Sequence, residues 1–85
     1  MEEKLADQIR NYCYTNYIIP ARKNNQEDIN IVVGQIHSEM NLKNRVPAVC
    51  SALQAKKFEI IANVKKLSVE GPHQGMNTTI TFKIL

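Results

Sequence analysis

The sequence predicts an α+β domain with its helices first and a β-hairpin last. Three observations carry this. Apolar residues recur three and four apart over most of residues 5–58, the spacing of one helix face. One alternating stretch, Ile29-Asn30-Ile31-Val32-Val33, interrupts them. Residues 66–84 then switch to period two around Gly71-Pro72-His73-Gln74-Gly75. With 85 residues the chain is one domain, 1–85. At 44% hydrophobic and 22% charged residues it has a globular rather than a disordered composition.

The first helix shows Leu5, Ile9, Tyr12, Cys13 and Asn16 or Tyr17 on one face, with Glu2, Glu3 and Asp7 near its start, where the helix dipole favours negative charge. Pro20 is expected to stop it, since proline has no donor and restricts its predecessor. Residues 21–28 read as a polar loop. A short strand over Ile29–Val33 is then closed by Gly34. Gln35–Met40 is a helix of under two turns that ends at Asn41, a residue tolerant of the left-handed conformation. Asn44 is the expected N-cap of a third helix, with Pro47 inside its first turn and Val46, Val49, Cys50 and Leu53 facing inward. That helix runs to Lys57 or Phe58. Between Glu59 and Val64 a helical extension and a loop are equally compatible with the pattern. Two strands close the chain, the last with Ile80, Phe82 and Ile84 on one face and Thr79, Thr81 and Lys83 on the other.

The element order, helix–strand–helix–helix–strand–loop–strand, is that of a winged helix-turn-helix: three helices plus a small antiparallel sheet. This fold class points to double-stranded DNA, because a helix of that unit fits the major groove. Charge agrees. Residues 1–40 hold four basic and six acidic side chains, whereas residues 41–85 hold seven basic ones and only Glu59 and Glu70. The positive field therefore belongs to the second half. The expected DNA-contacting residues are Lys43, Asn44 and Arg45 at the start of the third helix, Ser51 on its outward face, Lys56 at its end, Lys65 and Lys66 leading into the hairpin, and His73 and Gln74 at its tip. Lys57 lies beside Lys56. The outward face, Asn44, Ala48, Ser51 and Ala55, offers few hydrogen-bonding groups and no arginine, the commonest reader of guanine. Weak or shape-based specificity follows. The same small face could instead pack on a protein partner or a second copy, as could Tyr14, which points away from the apolar stripe.

Other chemistries fit poorly. Cys13, His37, Cys50 and His73 are too scattered for a zinc site, and both cysteines fall on apolar stripes as core thiols. His37 reads as a partly buried polar residue or a phosphate contact, and His73 and Gln74 could reach a minor groove or phosphate but read first as a solvent-exposed turn. The glycine-containing turn lacks the Gly-Lys-Ser/Thr ending of a phosphate loop. No nucleophile–base pair or carboxylate pair is visible, so no enzyme, metal or cofactor is expected. No apolar run reaches the roughly 20 residues that span a bilayer, and the amino-terminal segment is no secretory signal. A cytoplasmic location is the expectation.

The stretch Ile36-His37-Ser38-Glu39-Met40-Asn41-Leu42-Lys43-Asn44-Arg45-Val46-Pro47-Ala48-Val49-Cys50-Ser51-Ala52-Leu53, followed by Gly71-Pro72-x-x-Gly75 and a Thr-rich strand, resembles small prokaryotic winged-helix domains found alone or attached to restriction-type nucleases, 5-methylcytosine-specific endonucleases among them. The resemblance covers most of residues 5–84. It implies a DNA-associated accessory or targeting module and carries over no active residues.

Overall fold

A computed structural model describes residues 2–72 and 75–85. It is a small α+β domain with a three-stranded antiparallel sheet. The amino-terminal helix does not stop at Pro20. It runs as α1 (Glu2–Cys13), a π-helical segment (Tyr14–Ile18) and α2 (Ile19–Lys23). In the wide segment the Ile19 amide donates to Tyr14 O, five residues back. The widened turn lies immediately before Pro20, where an α-helix would have lost a bond and met the proline ring, and so the chain stays helical past it. The π turn also shifts the phase of everything after Cys13. Tyr14 is therefore half-buried against the core, not pointing away from it. The polar loop shrinks to residues 24–27, with Asn25 at φ 59° and the Gln26 amide on Ala21 O at 2.9 Å.

β1 (Asp28–Val32) passes directly into α3 (Val33–Glu39). Gly34 is thus inside a helix rather than a turn closing the strand. The reason lies in the hairpin loop. The amides of Val33 and Gly34, two of the donors every helix start leaves open, reach Thr78 O at 2.9 Å and Met76 O at 2.8 Å. A Cβ on residue 34 would stand 2.5 Å from Met76 O, so only glycine lets the loop approach. In the loop, the buried Thr78 hydroxyl takes the Gly75 amide at 3.0 Å and donates to Pro72 O. α3 ends where Asn41 adopts φ 57°.

α4 (Val46–Gln54) starts one residue later than Asn44 capping would require. Arg45 is its N-cap, and Asn44 takes a left-handed φ of 53° in the turn. The third helix does not run unbroken to Phe58. Ala55, extended at ψ 142°, separates α4 from α5 (Lys56–Ala62). Residues 59–62 are thereby helical, and Asn63, at φ 56°, ends α5.

β2 (Val64–Glu70) and β3 (Thr79–Ile84) complete the sheet, in the order β1-β3-β2. Register pairs Ile31 with Ile80, Val64 with Ile84 and Lys65 with Lys83, with an irregularity between Lys66 and Ser68 that leaves Leu67 extra. One sheet face packs on the helices: Ile31, Ile80 and Phe82 join Ile9, Cys13, Ile18, Ile36, Val49, Cys50, Leu53 and Phe58 in one core. Each large side chain buried there is worth about 1.5–3 kcal/mol. Phe58 and Phe82 meet edge-to-face at 5.1 Å, which locks α5 onto the sheet. Ala52, lateral by helix geometry, is buried because α1 lies over α4. Among the described residues no helix is long and apolar enough to cross a membrane.

Candidate nucleic-acid interface

The turn between α3 and α4 displays the strongest cluster of expected contacts. Two left-handed asparagines, Asn41 and Asn44, turn the chain, and Lys43, Asn44 and Arg45 are all exposed. His37 organises the turn from below. Its carbonyl accepts the Leu42 amide at 3.0 Å, and its Nε2 accepts the Arg45 amide at 3.1 Å. Acceptance at Nε2 requires a neutral ring with its proton on Nδ1. Lys43 and Arg45 hold no ion pair among the described residues. Along α4, Pro47 and Ser51 are exposed one turn apart and Ala48 is half-buried, so the outward face is small and nearly devoid of donors.

The remaining candidates divide. Lys56 is exposed at the first position of α5, beyond the break at Ala55. Its neighbour Lys57 reaches Asp7 at 3.3 Å and is thereby tied to α1. Lys65 and Lys66 do not share a face. Lys65 lies opposite Lys83 on the exposed side of the sheet, whereas Lys66 lies opposite the buried Phe82 and is half-buried. The Lys66 amide is also held by Glu59 Oε2 at 2.8 Å. Lys65 stands about 20 Å of strand from the hairpin loop, at roughly 3.3 Å per residue. Lys65 and Lys66 are therefore not assembled on one face of the sheet. His73 and Gln74 lie outside the described residues.

Sequence reasoning missed how other charges are used. Arg10 is 5% exposed and donates through Nε to Ala52 O at 3.1 Å, in the last turn of α4, while its Nη1 meets Asp7 at 2.8 Å. Arg22 donates to Ala62 O at 2.9 Å and Asn63 O at 3.1 Å, at the end of α5. Asp7 three residues before Arg10 was the one local hint. Glu39 accepts the hydroxyls of Tyr12 at 2.8 Å and Tyr17 at 2.7 Å on one oxygen and Gln35 at 3.0 Å on the other. Those two tyrosines are five residues apart, a spacing that the π turn brings onto one face. The hydroxyls of Tyr17 and then Tyr12 hold the Glu39 carboxyl below its ordinary range. Burial and Glu39 push Tyr17 up, and the Glu39 bond pushes Tyr12 up.

Cys13 and Cys50 are buried free thiols, and burial, followed by the charge of Glu39, pushes Cys13 up to about 12. A nucleophilic thiol needs the opposite shift. Among the described residues no three His, Cys, Asp or Glu side chains gather as metal ligands. A shallow groove lined by Arg22, Asn25, Asp28, Leu67, Lys83 and Leu85 carries mixed charge. Compared with known protein families, curated proteins and solved structures, the chain finds no match, and its functional reading rests on its own geometry.

Proposed function

We propose that this chain is a duplex-DNA-binding module of winged helix-turn-helix type, which holds phosphates with the α3–α4 turn and reads few bases. The sheet order β1-β3-β2 and the short turn between α3 and α4 support that assignment of fold. The observation that carries the functional part is the Lys43-Asn44-Arg45 segment, exposed, cationic and uncommitted at the start of α4. Its neighbour Glu39 offers no competition, since its carboxylate is turned to Tyr12 and Tyr17. With Pro47, Ala48 and Ser51 as the outward face, α4 can approach closely but has no bidentate reader. As an accessory to a restriction-type nuclease, such a module supplies DNA affinity and no chemistry.

The geometry limits the footprint. Among the described residues Lys43, Arg45 and Lys56 are the cations flanking α4 without an ion pair, so the logarithm of affinity should fall with the logarithm of salt with a slope of about −2.7, at roughly −0.9 per phosphate. Fluorescence anisotropy with a labelled duplex measures this. Lys43→Ala with Arg45→Ala should flatten the slope by about 1.8. Absence of salt-sensitive binding at low ionic strength rejects the reading.

A second reading has its own observation. Ile60 (72% exposed) on α5 and Leu67 (51%) and Val69 (42%) on β2 are apolar side chains left in solvent. Buried against a second copy of the chain, they would make a dimerisation module without DNA binding. Sedimentation equilibrium decides this: a concentration-dependent dimer abolished by Ile60→Asp supports it, and a monomer throughout removes it.

A further inference from the structure

We propose that His37 makes the α3–α4 joint a proton-sensitive latch, closed while its imidazole is neutral. The Arg45 amide is the donor at the N-cap of α4, a helix that has no side-chain cap of its own. His37 Nε2 is its acceptor, at 3.1 Å. Protonation turns that nitrogen into a donor facing a donor, and the bond must open. Imidazole is the side chain whose ordinary titration falls between pH 5 and 8. The main-chain bond from Leu42 to the His37 carbonyl does not titrate, so α3 keeps its end while the Arg45 amide at the N-cap of α4 is released.

The charged surroundings are simple. The turn brings Lys43 and Arg45, both cationic. On α3 itself Glu39 is held by Tyr12 and Tyr17 from the first helix and by Gln35. α4, packed on α3, has Cys50 as its titratable residue, and that thiol is buried. β1, which leads into α3, contributes Asp28 at its far end, opposite Lys83. Among the described residues the hydrogen-bond partner of the imidazole is the Arg45 amide. The latch regulates the segment assigned above to phosphate contact. Its use rests on the DNA reading, but its existence does not.

The test contains no nucleic acid, so its failure and failure of DNA binding are separate results. Amide and imidazole resonances are followed by NMR from pH 8 to pH 5 in the wild type, His37→Gln and His37→Phe. In the wild type the Arg45 amide should move through the same midpoint as the His37 ring, and its exchange, corrected for intrinsic rate, should rise about fivefold, the value of one ordinary hydrogen bond. His37→Gln keeps an acceptor that does not titrate, and its Arg45 amide should stay fixed across the range. His37→Phe should show the released position at every pH. A His37 ring that titrates while the Arg45 amide stays still overturns the latch, as does an Arg45 amide that titrates in His37→Gln. Should His37→Phe fail to fold, the other two proteins decide.

Discussion

Arg10 and Arg22 differ from Lys43 and Arg45 in what their charge is for. The first pair is spent inside the molecule: Arg10 holds Ala52 O and Asp7, and Arg22 holds Ala62 O and Asn63 O. Helix ends leave carbonyls unpaired and carry partial negative charge, so a guanidinium there satisfies both needs. The break at Ala55 creates one of these ends, that of α4, in mid-domain. The second pair sits at a helix start, where the dipole gives it no reason to stay and, among the described residues, no carbonyl holds it. Charge counted along the sequence treats these cations alike. Structure separates those that hold helices from those left for a partner.

Breaking the inward pair should have the largest effects. Arg10→Met leaves Ala52 O without its donor and Asp7 with Lys57 in place of its buried partner. It should lower stability by about 2–3 kcal/mol in urea unfolding. Arg22→Met opens the end of α5 where the side chain is only half-buried, and should lower it by about 1–2 kcal/mol. A smaller test uses another charge spent within the molecule, the exposed Glu39. Its carboxyl is held below the ordinary range by Tyr17 and Tyr12, so the stability it contributes is present above the unfolded carboxyl range near pH 4.5 and is lost as pH falls through the lower folded value. Tyr12 and Tyr17 are raised, so their contribution is present below the unfolded tyrosine value of 10.0 and is lost as pH rises through the folded one. Glu39→Gln should flatten the urea midpoint at both ends of a pH series. The outward pair should have the smallest effect: Lys43→Ala with Arg45→Ala should leave stability within about 0.5 kcal/mol while flattening the salt dependence of duplex binding. A marked loss of stability there would erase the distinction.

Much of the fold was legible because its signals are local. The stripe Val49, Cys50 and Leu53 and the alternation of Ile80 and Phe82 mark their buried faces in the residues themselves. Asparagine was only half legible. Asn25, Asn41, Asn44 and Asn63 all take left-handed backbone, which asparagine adopts more readily than other side chains. Asn41 announced a helix end, but Asn44 has equal claim to be a cap or a turn residue, and tertiary context chose the turn. Two features had no local signal. Alanine is the best helix former, so nothing in Ala55 says break. The π turn is a response to Pro20 and to Glu39, one of them 19 residues beyond the other, and no window of sequence contains that bargain. Of the expected interface, the Lys43–Arg45 turn is contiguous in sequence and survives as a cluster. Lys65 and Lys66 part because strand alternation sends neighbours to opposite faces.

The widened turn at Tyr14–Ile18 has a consequence for how the length of this chain can change. Removing one residue from an ordinary helix rotates everything beyond it by about 100° and misplaces the core. Here the exposed Thr15 sits in a turn that already contains one residue too many for an α-helix. Its deletion would close the helix to regular form and keep Ile9 and Cys13 in phase with Ala21. It would also set Pro20 against the carbonyl of the preceding turn. The insertion and the proline are therefore a coupled pair: a version of this chain one residue shorter in that turn should carry another residue in place of Pro20.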